Sequence, residues 1–418
     1  MQQLKWLYPG MGIKRWISLC VVGLLLVGSG FLMAVLGLTQ SPVHRGWLAA
    51  GAAVLCAGIY IVITGVYRMM KSVLSVVLPT QYENQLVELM YRQRQLERGP
   101  KVVAIGGGTG LSTLLAGLKK HTSNITALVT VADDGGSSGR LREAFDMPPP
   151  GDIRNCLVAL ADAEPLMREL FQYRFEDGSE LRGHTFGNLF ITAMMRVMGD
   201  FEAAVRESSR ILNVRGRVLP SSVRPVLLVA ELADGRRLSG ETNISKAGAP
   251  IKRLTLDAPT ACEAPAEVIK SLTSADAIIL GPGSLYTSVL PNLLVPGIRE
   301  TIQQSHVPVI YACNVMTQYS ETEGYTAADH LDAIIAHTQP GFVQYCIVNT
   351  AAVPASLLTR YRQERAHPVR VDHERLRSQG CDVIEGPVIS TTNYVRHDAD
   401  HLAKLILSLV TTKIKLKR

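Results

Sequence analysis

The stretch Val102-Val-Ala-Ile105-Gly106-Gly107-Gly108-Thr109-Gly110-Leu111, followed at Ile125-Thr-Ala-Leu-Val-Thr-Val131 by a second apolar run, decides the fold. The first four residues read as a strand buried on both faces, closed by glycine. Residues 111–118 then read as a helix and 125–131 as the next strand. Strand, glycine turn, helix, strand is a βαβ unit, which builds parallel sheets with ligands at the carboxyl ends of the strands.

Outward from that unit, short apolar runs predict strands over 225–232, 277–280, 307–313, 342–348 and 383–389. Helices are expected over 152–162, 186–198, 201–212, 265–274, 327–337 and 397–409. The Asp234-Gly235 turn between two strand-like runs predicts a β-hairpin inserted in the sheet. The expectation is an α/β body, a Rossmann-like doubly wound, mostly parallel sheet with a β-hairpin insertion.

The glycine turns carry the chemistry. In Gly106-Gly107-Gly108-Thr109-Gly110 the backbone can take positive φ and approach a ligand, and the head of the following helix favours an anion. No Lys follows, so this is not a P-loop, and Leu111 breaks the full dinucleotide fingerprint. A tight turn required by packing alone is the competing reading. The next strand ends in Asp133-Asp134-Gly135-Gly136-Ser137-Ser-Gly139-Arg140, which pairs carboxylates with a second phosphate-type turn. One carboxylate suits ribose hydroxyls or a Mg²⁺ bridging phosphates, and Arg140 or Arg142 suits phosphate oxygens. Helix capping is the plainer role for either aspartate.

Three further clusters fall at element boundaries. Asp152, Arg154 and Asn155 stand at a helix start. His184 and Asn188, four apart, share a face if their turn is helical. Gly281-Pro-Gly283-Ser284 follows an apolar strand and makes a third phosphate-type turn, and Asn314 ends another strand. No Ser-His-Asp arrangement and no nucleophile elbow is present.

Charge excludes one function class. The chain carries 43 Lys+Arg against 36 Asp+Glu, a net +7 over 418 residues. Nine of the bases and three of the acids lie in the first 100 residues, and Lys413, Lys415, Lys417 and Arg418 crowd the end. The body between is slightly acidic, so no nucleic acid is expected as a partner. The seven cysteines are scattered without a C-x-x-C, which reads as reduced thiols rather than a disulfide framework or zinc site.

Residues 17–38 and 46–67 are two uncharged stretches, each long enough to cross ~30 Å of hydrocarbon. Lys5, Lys14 and Arg15 precede the first, Arg68 and Lys71 follow the second, and only Arg45 lies between. The positive-inside rule then places both termini in the cytoplasm of a two-span inner-membrane protein. Residues 71–99 read as a helical connector with Leu86, Leu89, Met90 and Leu96 at helical spacing. It serves as a solvated stalk or as a partner-helix face in a homo-oligomer. The domains are thus 1–70, 71–99, a body over 100–412 and a basic tail over 413–418.

The motifs taken in order, Gly-Gly-Gly-Thr-Gly-Leu-Ser (106–112), Val-Ala-Asp-Asp-Gly-Gly-Ser-Ser-Gly-Arg-Leu-Arg (131–142), Pro-Pro-Gly-Asp-Ile-Arg-Asn (149–155), Gly-Pro-Gly-Ser-Leu-Tyr-Thr-Ser (281–288) and Asn-Val-Met-Thr-Gln (314–318), carry a resemblance. Over 101–411 the chain resembles the YvcK-type gluconeogenesis factor family, within the CofD-like superfamily that also holds 2-phospho-L-lactate transferase. The resemblance implies a body that binds UDP-N-acetylglucosamine and regulates cell shape, peptidoglycan supply and gluconeogenic growth through an envelope or carbon-metabolism partner. It further implies that Tyr361 and Arg396 attend the sugar nucleotide. No cofactor is required, Mg²⁺ on Asp133 and Asp134 being the one option. The alternative is a CofD-like transferase moving a phosphorylated group from a nucleotide diphosphate, with Asp133, Asp134, Asp152 and His184 as its candidate catalytic set. Two departures stand out: Tyr319-Ser320-Glu321-Thr322 replaces the family's common Pro-Gly-Glu-Thr, and residues 1–99 lie outside the resemblance.

Overall fold

The computed structural model describes residues 13–39, 45–77, 86–176, 180–257, 262–391 and 394–417. It forms two compact units, Met1–Gln93 and Arg94–Arg418.

In the first unit, helices Ile13–Thr39 and Arg45–Val77 pair along a seam of glycines. Gly23, Gly30 and Gly37 recur every seven residues on one helix, and Gly51, Gly58 and Gly65 on the other. A Cβ on Gly30 would lie 2.5 Å from Leu55 N, and one on Gly58 2.7 Å from Val27 N, so the backbones themselves touch. The larger apolar side chains, Leu24, Leu25, Phe31, Leu32, Tyr60 and Ile63 among them, face outward. By length and composition both helices, over Lys14–Thr39 and Arg45–Ser72, can cross a membrane. They run beyond the 17–38 and 46–67 windows because Lys14, Arg15, Arg68 and Lys71 continue the helices while ending the apolar character. Arg68 Cζ lies 5.1 Å from the centre of the Trp16 ring, which brings the two basic ends together. Lys5 and residues 78–85 of the connector lie outside the described residues, and helix Leu86–Glu97 follows them.

The second unit contains strands β1 Val102–Gly106, β2 Ile125–Val129, β3 Arg217–Pro220, β4 Leu227–Leu232, β5 Arg237–Ser239, β6 Ile251–Asp257, β7 Ala277–Leu280, β8 Val309–Ala312, β9 Tyr345–Asn349, β10 Asp382–Gly386, β11 Ile389–Ser390 and β12 Arg396–His397. Seven of them form one sheet in the order β10-β9-β8-β7-β1-β2-β3, and every pairing in it is parallel. This is the Rossmann-like α/β body. Alternation along β1 sends Val103 and Ile105 into one core and Val102 and Ala104 into the other. Both faces are therefore covered, as an all-parallel sheet requires. Helices Gly108–Leu118, Gly151–Leu160 and Ala399–Lys417 close the second face. Gly117 lets the first of these meet the Ala399 carbonyl so closely that no Cβ would fit.

Three expectations need correction. The hairpin does not join the main sheet: β4 pairs with β5 on one side and with β6, which the sequence reading missed, on the other, in a separate antiparallel sheet. Leu228, Ala230, Leu232 and Leu254 seat that sheet on the first core. The helix after β1 starts at Gly108, not Leu111, so most of the glycine turn is its first turn. Helices Pro165–Gln172, Ile298–Ser305 and Ala355–Gln363 and the short β3 were also not anticipated. In the tail, the last helix runs to Lys417, and Arg418 lies outside the described residues.

Candidate functional site

Strand order reverses between β1 and β7. Strands β2 and β3 extend to one side and β8 to β10 to the other, so the turns after β1 and β7 part and leave a crevice at their carboxyl ends. In open α/β sheets this switch point is where ligands bind. The crevice here is a cavity of about 420 Å³, within the range of small-molecule sites. Gly107, Gly108, Thr109 and Gly110 line it from β1, Pro282, Gly283 and Ser284 from β7, and Asn314, Val315, Met316 and Gln318 from β8. Asp133, Asp152, Glu241, Arg396 and His397 complete the wall.

The glycines serve different purposes. Gly108 has φ +61° and open space where a Cβ would stand, so its backbone faces the cavity. The helix it begins has no side-chain cap, which leaves first-turn amides for a ligand. Gly110 is a packing glycine: a Cβ would lie 2.5 Å from the Pro282 carbonyl oxygen, so it lets the β7 turn close against the β1 turn. At Gly107 a Cβ would strike the Asp152 carboxylate. Gly106 is buried in β1, where its carbonyl accepts from Asn292 Nδ2 at 3.2 Å. Gly281 bends the chain at φ +77° behind the lining.

Three carboxyl groups, Asp133, Asp152 and Glu241, share the crevice, and a fourth, Glu321, acts on Glu241 from behind the lining. Burial, then the neighbouring Asp133, pushes Asp152 up to about 6 even though the Gly108 amide hydrogen-bonds it. Burial, then Asp133 and Asp152, pushes Glu241 up to about 9. Buried Glu321 is raised to about 7 by desolvation; one of its oxygens accepts from Thr287 Oγ1 at 3.3 Å and the other has no partner among the described residues. Burial lowers His397 to about 4, and its Nε2 contacts the Cys313 carbonyl at 3.1 Å, so the imidazole is neutral at pH 7 and donates there. Gln318 Nε2 donates to Ser284 Oγ at 2.9 Å, while its buried Oε1 has no partner among the described residues and is available to a ligand donor.

Other expected site residues stand outside the lining. Asp134 turns away: its Oδ1 accepts from Thr242 N at 2.9 Å and Thr242 Oγ1 at 2.7 Å, fixing the short helix Glu241–Ile244 that carries Glu241. Gly135 donates its amide to Asp133 Oδ1 at 2.9 Å, and Gly136, φ +48°, begins helix Gly136–Phe145. His184 and Asn188 do not share a helix face, because helix Phe186–Met198 starts after His184 with Thr185 as its cap. Both instead reach Ser137 Oγ, His184 Nδ1 at 2.9 Å and Asn188 Nδ2 at 3.0 Å. Arg140 bonds the Arg182 carbonyl at 2.8 Å. Tyr361 holds β12 from behind, its hydroxyl accepting from Val395 N at 3.0 Å, whereas Arg396 does line the crevice and packs on the Tyr394 ring.

The sequence reading missed Glu241, Gln318 and His397 as lining residues. Gln318 ends a motif already singled out; Glu241 carries no local signal, since only the separate small sheet brings it over the crevice. The loop with the unusual Tyr319-Ser320 keeps the conformation a glycine would take there: Ser320 has φ +69°. Its hydroxyl donates to the Ile244 carbonyl at 3.2 Å and accepts from Gly248 N at 2.9 Å, offsetting the strain.

For a metal, no group of three or more His, Cys, Asp or Glu among the described residues is close enough to hold an ion. Asp133 and Asp152 fit a Mg²⁺ that is completed by ligand phosphates, the usual arrangement for this ion; Asp134 is committed to Thr242.

The family model described as 2-phospho-L-lactate transferase CofD matches residues 102–389. A "Putative gluconeogenesis factor" of Nostoc sp. strain PCC 7120 is 48% identical over 97% of this chain and 92% of its own. The gluconeogenesis factor of Bacillus subtilis is 50% identical over 74% of this chain and 98% of its own. A crystal structure from Bacillus halodurans superposes with a TM-score of 0.72 at 49% identity, covering 74% of this chain and 100% of that one. The Nostoc match takes in most of residues 1–99, so the likeness is not confined to the body as expected. The chain belongs to the YvcK-type gluconeogenesis factor family of the CofD-like superfamily.

Proposed function

We propose that the crevice binds a uridine-diphosphate sugar, UDP-N-acetylglucosamine, and that the protein is a membrane-anchored regulator of cell shape, peptidoglycan supply and gluconeogenic growth. The observation that carries this reading is the convergence of the uncapped helix start at Gly108 and the Gly283-Ser284 turn on one cavity at the switch point. Backbone amides there supply the diphosphate with donors at no net charge, which suits a slightly acidic body. Arg396 reaches the phosphates from the rim, with Tyr361 as its positioning residue. Gln318 Oε1 accepts from the base or sugar.

Three carboxyls beside a diphosphate repel it unless they hold protons or share a cation. Glu241, raised to about 9, takes the protonated solution, and Asp133 and Asp152 together suit a Mg²⁺ brought in with the phosphates. The same carboxyls support a second reading, a CofD-like transferase in which Mg²⁺ would neutralise the transferred phosphoryl oxygens. Asp133 and Asp152 would then orient the donor.

The outward apolar faces of the first unit favour lipid as their surroundings, since water would meet a large apolar surface. The basic ends near Trp16 support, by the positive-inside rule, a cytoplasmic side for both ends of the helix pair.

A thermal-shift panel of sugar nucleotides and guanosine diphosphates, with and without Mg²⁺, tests the reading. At 100 times the dissociation constant a ligand stabilises by about 2.7 kcal/mol. UDP-N-acetylglucosamine is expected to shift the full chain in micelles and to be recovered intact by mass spectrometry. Turnover of a guanosine-linked donor would promote the transferase.

A further inference from the structure

Beside the crevice, three guanidinium groups converge on four consecutive residues. Arg140 Nη2 donates to the Arg182 carbonyl at 2.8 Å, Arg174 Nη1 to the Gly183 carbonyl at 2.6 Å, and Arg154 Nη1 to Thr185 Oγ1. Such a segment spans roughly 10 Å. Among the described residues none of the three arginines forms an ion pair with a carboxylate, although exposed arginines elsewhere do so freely, as Arg210 does with Glu207 and Arg365 with Glu323. Like charges gathered this closely are unfavourable unless something neutralises them.

Two buried polar atoms in the cluster are also unsatisfied. Among the described residues Arg154 Nε has no partner, and neither has Oδ1 of Asn188, a residue 2% exposed. Asn188 N donates to the same Thr185 hydroxyl that receives Arg154 Nη1, so the two residues are neighbours. His184, lowered by burial and by Arg140, adds no positive charge at neutral pH but lies within the cluster through Ser137. Asp152 and Asp133 act on Arg154 from the crevice side and Arg174 from the other, so the cluster abuts the crevice wall without belonging to its lining.

We propose that Arg140, Arg154 and Arg174 form a second anion subsite, separate from the diphosphate crevice, which takes the phosphate or carboxylate of a small hydroxylated ligand. The planar forks of three arginines suit a tetrahedral or planar oxyanion, and Arg154 Nε supplies a preformed donor. Asn188 Oδ1 takes the hydroxyl hydrogen of the same ligand. The subsite is independent of what the crevice binds.

The test uses the full chain in micelles and inorganic phosphate as probe, at constant ionic strength, with melting temperature as readout; malonate is the carboxylate arm. Phosphate or malonate is expected to raise the melting temperature. Arg174→Gln and Arg140→Gln should each weaken that effect about tenfold, as loss of one charge-assisted hydrogen bond does, and Arg174→Lys should recover part of it. A stronger response to phosphate names a phosphate ester as the ligand class, and a stronger response to malonate names a carboxylate. Uridine nucleotide affinity should be the same in wild type and variants, which separates this outcome from failure of the crevice reading. A phosphate effect that survives both Gln variants and disappears on adding uridine nucleotide would place the anion in the crevice and overturn the proposal. So would the absence of any shift from either anion.

Discussion

At the scale of single residues, glycines with the same look in the sequence have separable roles. Gly108 needs its positive φ and its empty flank, so Gly108→Ala is expected to cost about 1–2 kcal/mol of stability and to weaken nucleotide binding, read by melting and titration together. Gly117→Ala should destabilise by about 1–3 kcal/mol through overpacking against Ala399, with ligand affinity unchanged in whatever remains folded. Ser320 offers a finer comparison. Ser320→Ala keeps the strained φ and discards two hydrogen bonds, an expected loss of about 1–3 kcal/mol in chemical denaturation. Ser320→Gly removes strain and bonds together and should lie near wild type. The crystal of reasons behind each glycine was not legible in the sequence: Gly106 to Gly110 are contiguous, yet only the Pro282 carbonyl and the Asp152 carboxylate distinguish a packing glycine from a ligand-facing one.

At the scale of elements, the strongly patterned ones were legible. β1, β2 and β7 are short apolar runs bounded by glycine or aspartate, and helices Phe186–Met198 and Ala327–His337 have the boundaries their periodicity predicts. What escaped were elements whose burial is decided by distant neighbours. β3 is four residues long and β6 shows its inward Leu254 only once β4 is in place. In the helix pair of the first unit, the seven-residue glycine repeat makes a sharper prediction than hydropathy. The position of a Cβ on Gly65 is 2.7 Å from Cys20 Sγ. Gly65→Cys should therefore form an intramolecular disulfide with Cys20 on mild oxidation, seen as a mobility change without dimer. Adding Gly58→Leu, which places a side chain against Val27, should abolish it. Persistence of the cross-link in the double variant would contradict backbone contact along the seam.

For the whole molecule, charge is divided between two tasks. The basic surplus lies largely at the ends of the paired helices, whereas the crevice is acidic. Asp152, Glu321 and Glu241 are held above the ordinary carboxylate range, at about 6, 7 and 9. The folded protein therefore binds protons that the unfolded chain has released, and stability falls as pH rises from about 4–5 toward 9. Glu241→Gln should flatten the upper part of that profile in pH-dependent denaturation, because Gln needs no proton to stay neutral. Anion binding should weaken over the same window. The site was legible as a set of strand-end turns; its acidity was not, because Glu241 meets Asp133 and Asp152 only through the fold.

The most direct measurement is calorimetric titration of the intact chain in micelles with UDP-N-acetylglucosamine, with UDP and GDP as competitors. Saturable binding at one site per chain, displaced by UDP and not by GDP, and weakened by Gly108→Ala, is the expected result. Folded protein that gives no saturable heat with any uridine nucleotide, or a site that prefers GDP, would contradict the account.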